Sequence, residues 1–480
     1  MKKIVLLLIC SFFVLQTQAQ TASDAFRYSE TVAGGTARSL GAGGAFGSLG
    51  ADFSSASINP AGLGLYTKSE MTITPSLSFS STDADFLGTT TTDKRSAFSL
   101  NNIGFVFANN NKRDLKSTFA IGFNRLANYN NRFIADGYNN SGSITNYYAG
   151  VAGTTPEADL NTERPFDAGL AYFTYLIDPV YNANGSLTGY EGHTPNNVQQ
   201  TTSAYIKGGK EEYLMALGLD YKDKLYFGAT LGLPYTHYKS EVEYTETDKN
   251  NVHGDYESYR EINTLRTQGL GINGKFGMIY RPIEQLRIGI AAHTPTRNTL
   301  EDLYDVSMVS NFAGGQQYVE ESPDDNAGFK YIISSPWRVT TGISGIVKNL
   351  GFLSFDYEWV DYSQAEVDLE GYTQLTSDIN RDIRNNYQAA SNFKVGAEFA
   401  RDIFRVRAGY NYYGSPYKNQ DNLNRQTISA GLGIRENKIS ADVAFVRGIN
   451  KNDYRFYTEA PTANLNTTNN NLLFTFGLRF

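Results

Sequence analysis

The sequence predicts an all-β fold, a transmembrane antiparallel β-barrel of about fourteen strands with an N-terminal hatch, and three observations carry that prediction. Period-2 alternation recurs along the chain and is strongest near its C-terminus, where Leu472, Phe474, Phe476, Leu478 and Phe480 share one face against Thr475, Gly477 and Arg479. The composition combines 33 Tyr, 29 Phe and 45 Gly with a mean hydropathy of -0.38. A barrel resolves that contradiction, because each strand turns an apolar face to lipid and a polar face to the lumen. Finally, short turns such as Lys222-Asp223-Lys224 alternate with long polar segments such as 310–328 and 369–390, as periplasmic turns and outer loops do. A soluble sandwich or propeller shares the alternation, but strands of about 10 residues and the lack of a blade repeat count against it.

The elements follow in order. Residues 1–19 open with Lys2 and Lys3, run through Ile4 to Leu15 and reach Thr17-Gln18-Ala19, the pattern of a cleaved secretory signal peptide. Its apolar run is shorter than the about 20 residues of a spanning helix. The one cysteine, Cys10, falls inside it, so the mature chain is expected to hold no thiol. Residues 20–70 are rich in Gly, Ala and Ser, lack alternation, and carry scattered apolar residues, Phe46 and Phe53 among them, that need shelter. The nearest shelter is the barrel interior, so this segment reads as a plug. Strands are expected near 71–80, 98–108, 117–128, 211–221, 224–245, 256–281, 286–309, 329–347, 350–368, 391–401, 404–413, 425–435, 438–457 and 470–480. Between the third and fourth lies an outer loop at about 129–210, far longer than ordinary connections. Within it Phe166, Leu170, Phe173 and Ile177 fall at helical spacing and predict an amphipathic helix that could form a ligand groove.

Within the plug, Gly34-Gly35-Thr36-Ala37-Arg38-Ser39-Leu40-Gly41-Ala42-Gly43-Gly44-Ala45-Phe46 and Ile58-Asn59-Pro60-Ala61-Gly62-Leu63 resemble the N-terminal hatch of the FadL family of long-chain fatty acid transporters, in the branch common among Bacteroidetes. The resemblance by motif covers about residues 24–66. It implies a plugged fourteen-stranded barrel that takes up hydrophobic compounds passively, gates them through the hatch and releases them through a wall opening near the third strand. Asn59, Pro60, Ala61 and Gly62, with Phe46 and Phe53, are the gating candidates it marks. Pro60 fixes its own φ and biases Asn59 toward an extended backbone, so the same four residues also read as a tight anchoring turn. A PorV-like role, a non-transport adaptor barrel of a protein secretion system, is the alternative.

Other chemistry lacks a motif. Gly41-Ala42-Gly43-Gly44 follows no buried strand, which argues against a nucleotide site. His193, His237, His253 and His293 show no metal-ligand spacing among themselves, and no catalytic Ser, His and Asp arrangement can be assigned. No enzyme activity and no cofactor or metal is expected, and a net charge of -7 argues against nucleic acid. Lumen-facing Arg287, Lys394, Glu398, Arg405, Arg407 and Asp442 are expected to pair mostly with one another. The expected partners are a hydrophobic small molecule such as a fatty acid, outer-membrane lipid and lipopolysaccharide, and the barrel assembly machinery reading Phe476, Leu478 and Phe480; the barrel is expected to be a monomer.

Overall fold

Burial along the strands is inverted relative to a soluble core. In Glu70–Phe86 the buried side chains include Thr72, Thr74 and Ser76 while Met71, Ile73, Leu77 and Phe79 are exposed. In Ala389–Arg401 Asn392 and Lys394 are buried between exposed Phe393, Val395 and Phe399. Holding such rows in water would cost about 25 cal/mol per Å² of apolar surface, so the outward face belongs in lipid. The computed structural model describes residues 22–32, 34–109, 114–323, 328–347 and 350–480; the expected signal peptide, 1–19, lies outside them.

The strands form a closed 14-strand antiparallel barrel. We label them β1 (Glu70–Phe86), β2 (Thr89–Asn109), β3 (Leu115–Asn128, continued by Asn131–Asn139), β4 (Val198–Tyr221), β5 (Leu225–Thr247), β6 (Tyr256–Ile283), β7 (Leu286–His293, continued by Arg297–Phe312), β8 (Phe329–Ser334 and Arg338–Val347), β9 (Gly351–Asp361), β10 (Ala389–Arg401), β11 (Phe404–Tyr413), β12 (Arg425–Arg435), β13 (Ile439–Tyr454) and β14 (Ala463–Arg479). Each pairs with its neighbour, and β14 closes the barrel on β1 from Glu70↔Arg479 to Asp85↔Asn464.

Several expected boundaries change, among them β9, which ends at Asp361 rather than 368, and β14, which begins at Ala463 rather than 470. β1 and β2 run on to meet at a tight turn where Leu87 and Gly88 have φ +48 and +83, and β4 begins at Val198 rather than 211. Beyond the lipid-facing band the inward residues of these extensions, such as Thr82, Ala84, Gln200 and Thr202, stay buried, but the outward ones are polar, as Ser81, Asp83, Thr201 and Ser203 are, so they carry no apolar alternation to be read. The segment placed at 129–210 as one loop is therefore two strand extensions, paired Asn139↔Val198 to Asn131↔Ile206, around a shorter connection. That connection holds α4 (Ile144–Ala152), α5 (Glu157–Glu163), α6 (Ala168–Phe173) and the hairpin Ile177–Tyr181 with Leu187–Gly192. It caps the barrel by packing Ile144, Leu160, Leu170 and Leu176 on Tyr244, Tyr259, Met308 and Phe312.

Inside the barrel the N-terminal segment forms α1 (Ala22–Ser29), α2 (Ala37–Gly41), α3 (Ser55–Ile58) and a 3-10 turn (Pro60–Leu65). α1 packs under α7 (Thr373–Asn386), the helix between β9 and β10, through Ala25, Tyr28, Ile379 and Ile383. The rest of the segment meets a belt of wall glycines that neighbour one another in register: Gly104 with Gly122, Gly218 with Gly228 and Gly277, Gly289 with Gly342, Gly396 with Gly409. A Cβ at any of them would collide with the plug or with a lumen side chain against it. Glycine here makes room for backbone to lie on backbone.

Candidate functional site

The hatch is built from short caps. Thr36 Oγ1 accepts the Ser39 amide at 3.2 Å and donates to both Asp52 carboxylate oxygens at 2.9 Å, so α2 starts where the chain folds back on itself. Arg38 reaches the Ala51 carbonyl at 2.6 Å and lies 3.7 Å from Asp52 and 4.0 Å from Glu398. Asn59 is extended (φ -144, ψ 101), as a residue before proline should be, and Pro60 occupies the first position of the 3-10 turn. The Asn59 carboxamide is fully buried. Its Oδ1 accepts the Ala61 amide at 3.1 Å and its Nδ2 donates to the Gly47 carbonyl at 2.6 Å, with the Met278 and Ile290 carbonyls at 3.4 Å. One side chain thus ties the two halves of the hatch to each other and to β6 and β7. Gly62 donates its amide to Asn59 O at 2.9 Å.

Phe46 and Phe53 are fully buried but apart. Phe53 sits over Gly104 and Gly122 on β2 and β3, whereas Phe46 meets Phe352 edge-on at 6.1 Å. The lumen charges expected to pair do so in part: Arg407 bonds Glu398 and Asp442, each at 2.6 Å, and Lys394 lies 3.2 Å from Glu358, which also holds Arg338 at 2.6 Å. Arg405 instead donates to the Asp402 and Phe404 carbonyls of a turn.

Three cavities meet at the segment that joins α1 to α2. The largest, about 460 Å³, lies between α1 and the outer ends of β10 to β13; Phe26, Tyr362, Tyr387, Tyr413 and Tyr417 give it aromatic walls and Arg425 gives it a cation. Arg425 is held by Glu30 at 2.5 Å. A second, about 70 Å³, is lined by the buried charges Glu212, Lys275, Arg338 and Glu358. The third, about 110 Å³, lies behind β3 against Leu40, Leu126, Val446 and Leu473. Thr31 borders the first two, and Val32 and Gly34 border the second and third.

At that third cavity the wall is interrupted. Among the described residues the β2–β3 ladder ends at Asn102↔Asn124, and β3 shifts register between Arg125 and Ala127 before it continues along β4 alone. Above the break, side chains replace the ladder: Arg95 donates to Asn130 Oδ1 at 3.0 Å and to the Ile206 carbonyl, and Arg132 pairs with Asp93 at 2.9 Å. From inside, the Val32 amide donates to the Leu126 carbonyl at 2.8 Å, and Gly34 lies so close to the Arg125 carbonyl that a Cβ would overlap it.

The proposed groove helix is not one helix. Phe166 lies between α5 and α6, Leu170 and Phe173 lie on α6, and Ile177 starts the hairpin; Asp167 caps α6 by accepting the Ala168 amide at 2.6 Å, which breaks the register. Leu170 and Ile177 are buried, Phe173 is exposed, and Phe166 faces Tyr304 at 5.8 Å. The free space beside Phe166, Tyr147, Tyr148 and Tyr457 is about 50 Å³. Burial pushes the Asp167 carboxyl up there despite Arg164 at 2.7 Å. Phe476, Leu478 and Phe480 are exposed on the outward face of the closing strand and just beyond it.

Sequence reasoning missed the 460 Å³ chamber, whose walls come from widely separated segments, and the role of Val32 and Gly34. Comparison with known proteins agrees with the architecture. The family described as outer membrane protein transport protein (OMPP1/FadL/TodX) matches residues 216–479. The toluene transporter TodX of Pseudomonas putida aligns over 94% of this chain and 100% of its own at 12% identity and a TM-score of 0.54. A FadL homologue of Pseudomonas aeruginosa aligns over 94% and 99% at 12% identity and 0.55, and the toluene transporter TbuX of Ralstonia pickettii over 93% and 99% at 15% identity and 0.52. No curated protein sequence matches the chain.

Proposed function

Because the chain belongs to the OMPP1/FadL/TodX family of outer membrane transport proteins, we propose that it is a passive channel for hydrophobic small molecules, long-chain fatty acids among them, gated by its hatch and emptying sideways through the barrel wall. The observation that carries the reading is the strip Thr31, Val32 and Gly34, which stands between the aromatic chamber and the interrupted β2–β3 wall. A chamber with aromatic walls and the guanidiniums of Arg27 and Arg425 suits an apolar chain with an anionic head. A water-filled pore would not serve such a ligand, since wetting its apolar surface costs about 25 cal/mol per Å². Lateral release keeps the ligand in a greasy path from chamber to bilayer. Asn59, Pro60, Ala61 and Gly62 with Phe46 and Phe53 hold the lower hatch fixed while the strip moves; Phe166, Leu170, Phe173 and Ile177 belong to the outer cap where ligand first collects.

The test is a reversible lock. Val32→Cys with Leu126→Cys joins two residues already linked by a backbone hydrogen bond, in a chain whose one natural cysteine is Cys10. Uptake of a labelled long-chain fatty acid should fall when the pair is oxidised and recover on reduction, while a small polar sugar shows no change. Equal fatty acid flux in both states, with the cross-link complete, would defeat lateral release. No flux in either state, together with co-purified secretion components, would favour the adaptor role.

A further inference from the structure

Outside the barrel, just above its apolar band, three cations stand side by side. Lys207 on β4 is directly opposite Lys239 on β5, and Lys239 is directly opposite Arg266 on β6. All three point outward, as do Tyr213, Leu233 and Leu270 farther down the same strands. Like charges placed directly opposite across a ladder repel, and nothing in the strands' packing requires them at these positions. Lys239 has Glu241 at 3.4 Å, but Lys207 and Arg266 have no acidic ion-pair partner among the described residues. The nearby acids are engaged elsewhere: Glu211 lies 3.6 Å from Arg125 and 3.2 Å from His237, and Glu301 lies 3.7 Å from Lys330.

The row is not on an open surface. It floors a groove of about 670 Å³ between the upper half of β2 and the outer face of β4 to β7. Arg95 and Arg125 flank it, and Phe98 and Leu303 give it apolar walls. Its height is set by register. The last apolar rung is Tyr235↔Leu270, and Lys239↔Arg266 lies four residues farther out, about 13 Å along the strand and about 10 Å along the membrane normal. That is the headgroup layer.

We propose that this groove binds a phosphate-bearing headgroup of an outer-leaflet lipid, with the phosphate on Lys207, Lys239 and Arg266 and an acyl chain descending past Phe98. The phosphate turns three mutually repelling charges into a shared anion site, and charge-assisted hydrogen bonds are the strong ones. The apolar wall below distinguishes a lipid from free phosphate.

The test uses the full-length barrel in non-ionic detergent, with diphosphoryl lipid A, its dephosphorylated form and inorganic phosphate as probes. Two readouts are taken, binding by native mass spectrometry and the midpoint of heat-induced unfolding on gels. The triple substitution Lys207→Gln, Lys239→Gln, Arg266→Gln should weaken lipid A binding by about tenfold or more and leave the dephosphorylated form unaffected. Without lipid it should raise the unfolding midpoint, because repulsion is gone; with lipid A the wild type should be the more stable of the two. Lys207→Arg with Lys239→Arg should retain binding. Equal lipid A binding by wild type and triple variant, equal binding of lipid A and its dephosphorylated form by wild type, or a lipid-free midpoint lower in the triple variant than in wild type would each overturn the proposal. Binding of inorganic phosphate as tight as that of lipid A would overturn the lipid assignment.

Discussion

Asn59→Ala tests the hatch through one carboxamide. The substitution leaves the Gly47 carbonyl and the Ala61 amide without the partners they have at 2.6 and 3.1 Å. Each buried group left unsatisfied costs about 1–3 kcal/mol, so the lower hatch should lose about 2–6 kcal/mol of local stability. Gly277 on β6 lies against the same atom, and a methyl there would strike Asn59 Oδ1. Gly277→Ala should therefore also loosen the hatch, yet add little to Asn59→Ala, which has removed the obstacle. The double-mutant cycle should show a coupling of about 1–3 kcal/mol in the compensating direction. Amide hydrogen exchange of residues 44–64 in micelles reads this locally, and protection should drop by roughly thirtyfold or more in Asn59→Ala. Gel mobility before and after heating reports the barrel, which should stay folded. Unchanged exchange in Pro60–Leu65, or strictly additive single effects, would refute the assignment of Asn59 as the tie between hatch and wall.

Gly34→Val should push the strip off the Arg125 carbonyl, break the Val32 to Leu126 hydrogen bond and raise fatty acid uptake several-fold; uptake at the wild-type rate would count against gating there. Glu358→Gln removes the charge facing Arg338 and Lys394, and a buried pair broken on one side costs about 3–5 kcal/mol, so the unfolding midpoint should fall clearly. Phe476→Ser with Phe480→Ser should reduce the folded, heat-modifiable barrel recovered from the outer membrane, and normal recovery would dissociate these residues from assembly. A tag at Gly185, in the capping connection, should be accessible in intact cells; inaccessibility with a folded barrel would invert the topology.

What was legible in the sequence follows from what lipid enforces. A residue facing hydrocarbon must be apolar, so Leu472 to Phe480 and Phe393 to Phe399 announce their strands one residue in two. Above the membrane that pressure ends, and Ser81 to Ala97 and Val198 to Lys210 are strands with no pattern to betray them. Asn59-Pro60 was readable because its local geometry follows from the residue types. The wall glycines were not: Gly228 and Gly277 become neighbours only once strand register is known. Phe166 to Ile177 has helical spacing by coincidence, and the Asp167 cap, a local signal, was available to break it. The chamber gathers Phe26, Tyr362, Tyr413 and Arg425 from across the chain, which no local pattern encodes.

The glycine belt has an electrical consequence. Where Gly218, Gly228 and Gly277 let the Asn59–Gly64 turn rest on bare backbone, plug and wall leave no gap along β4 to β6 for a hydrated ion to follow. A barrel sealed in that way all round would be an insulator. In a planar bilayer it should add almost no steady current, and a voltage across the membrane should find no aqueous column to drive. Flux would scale with how readily a solute leaves water for hydrocarbon, and a cell could carry many copies without leaking its ion gradients.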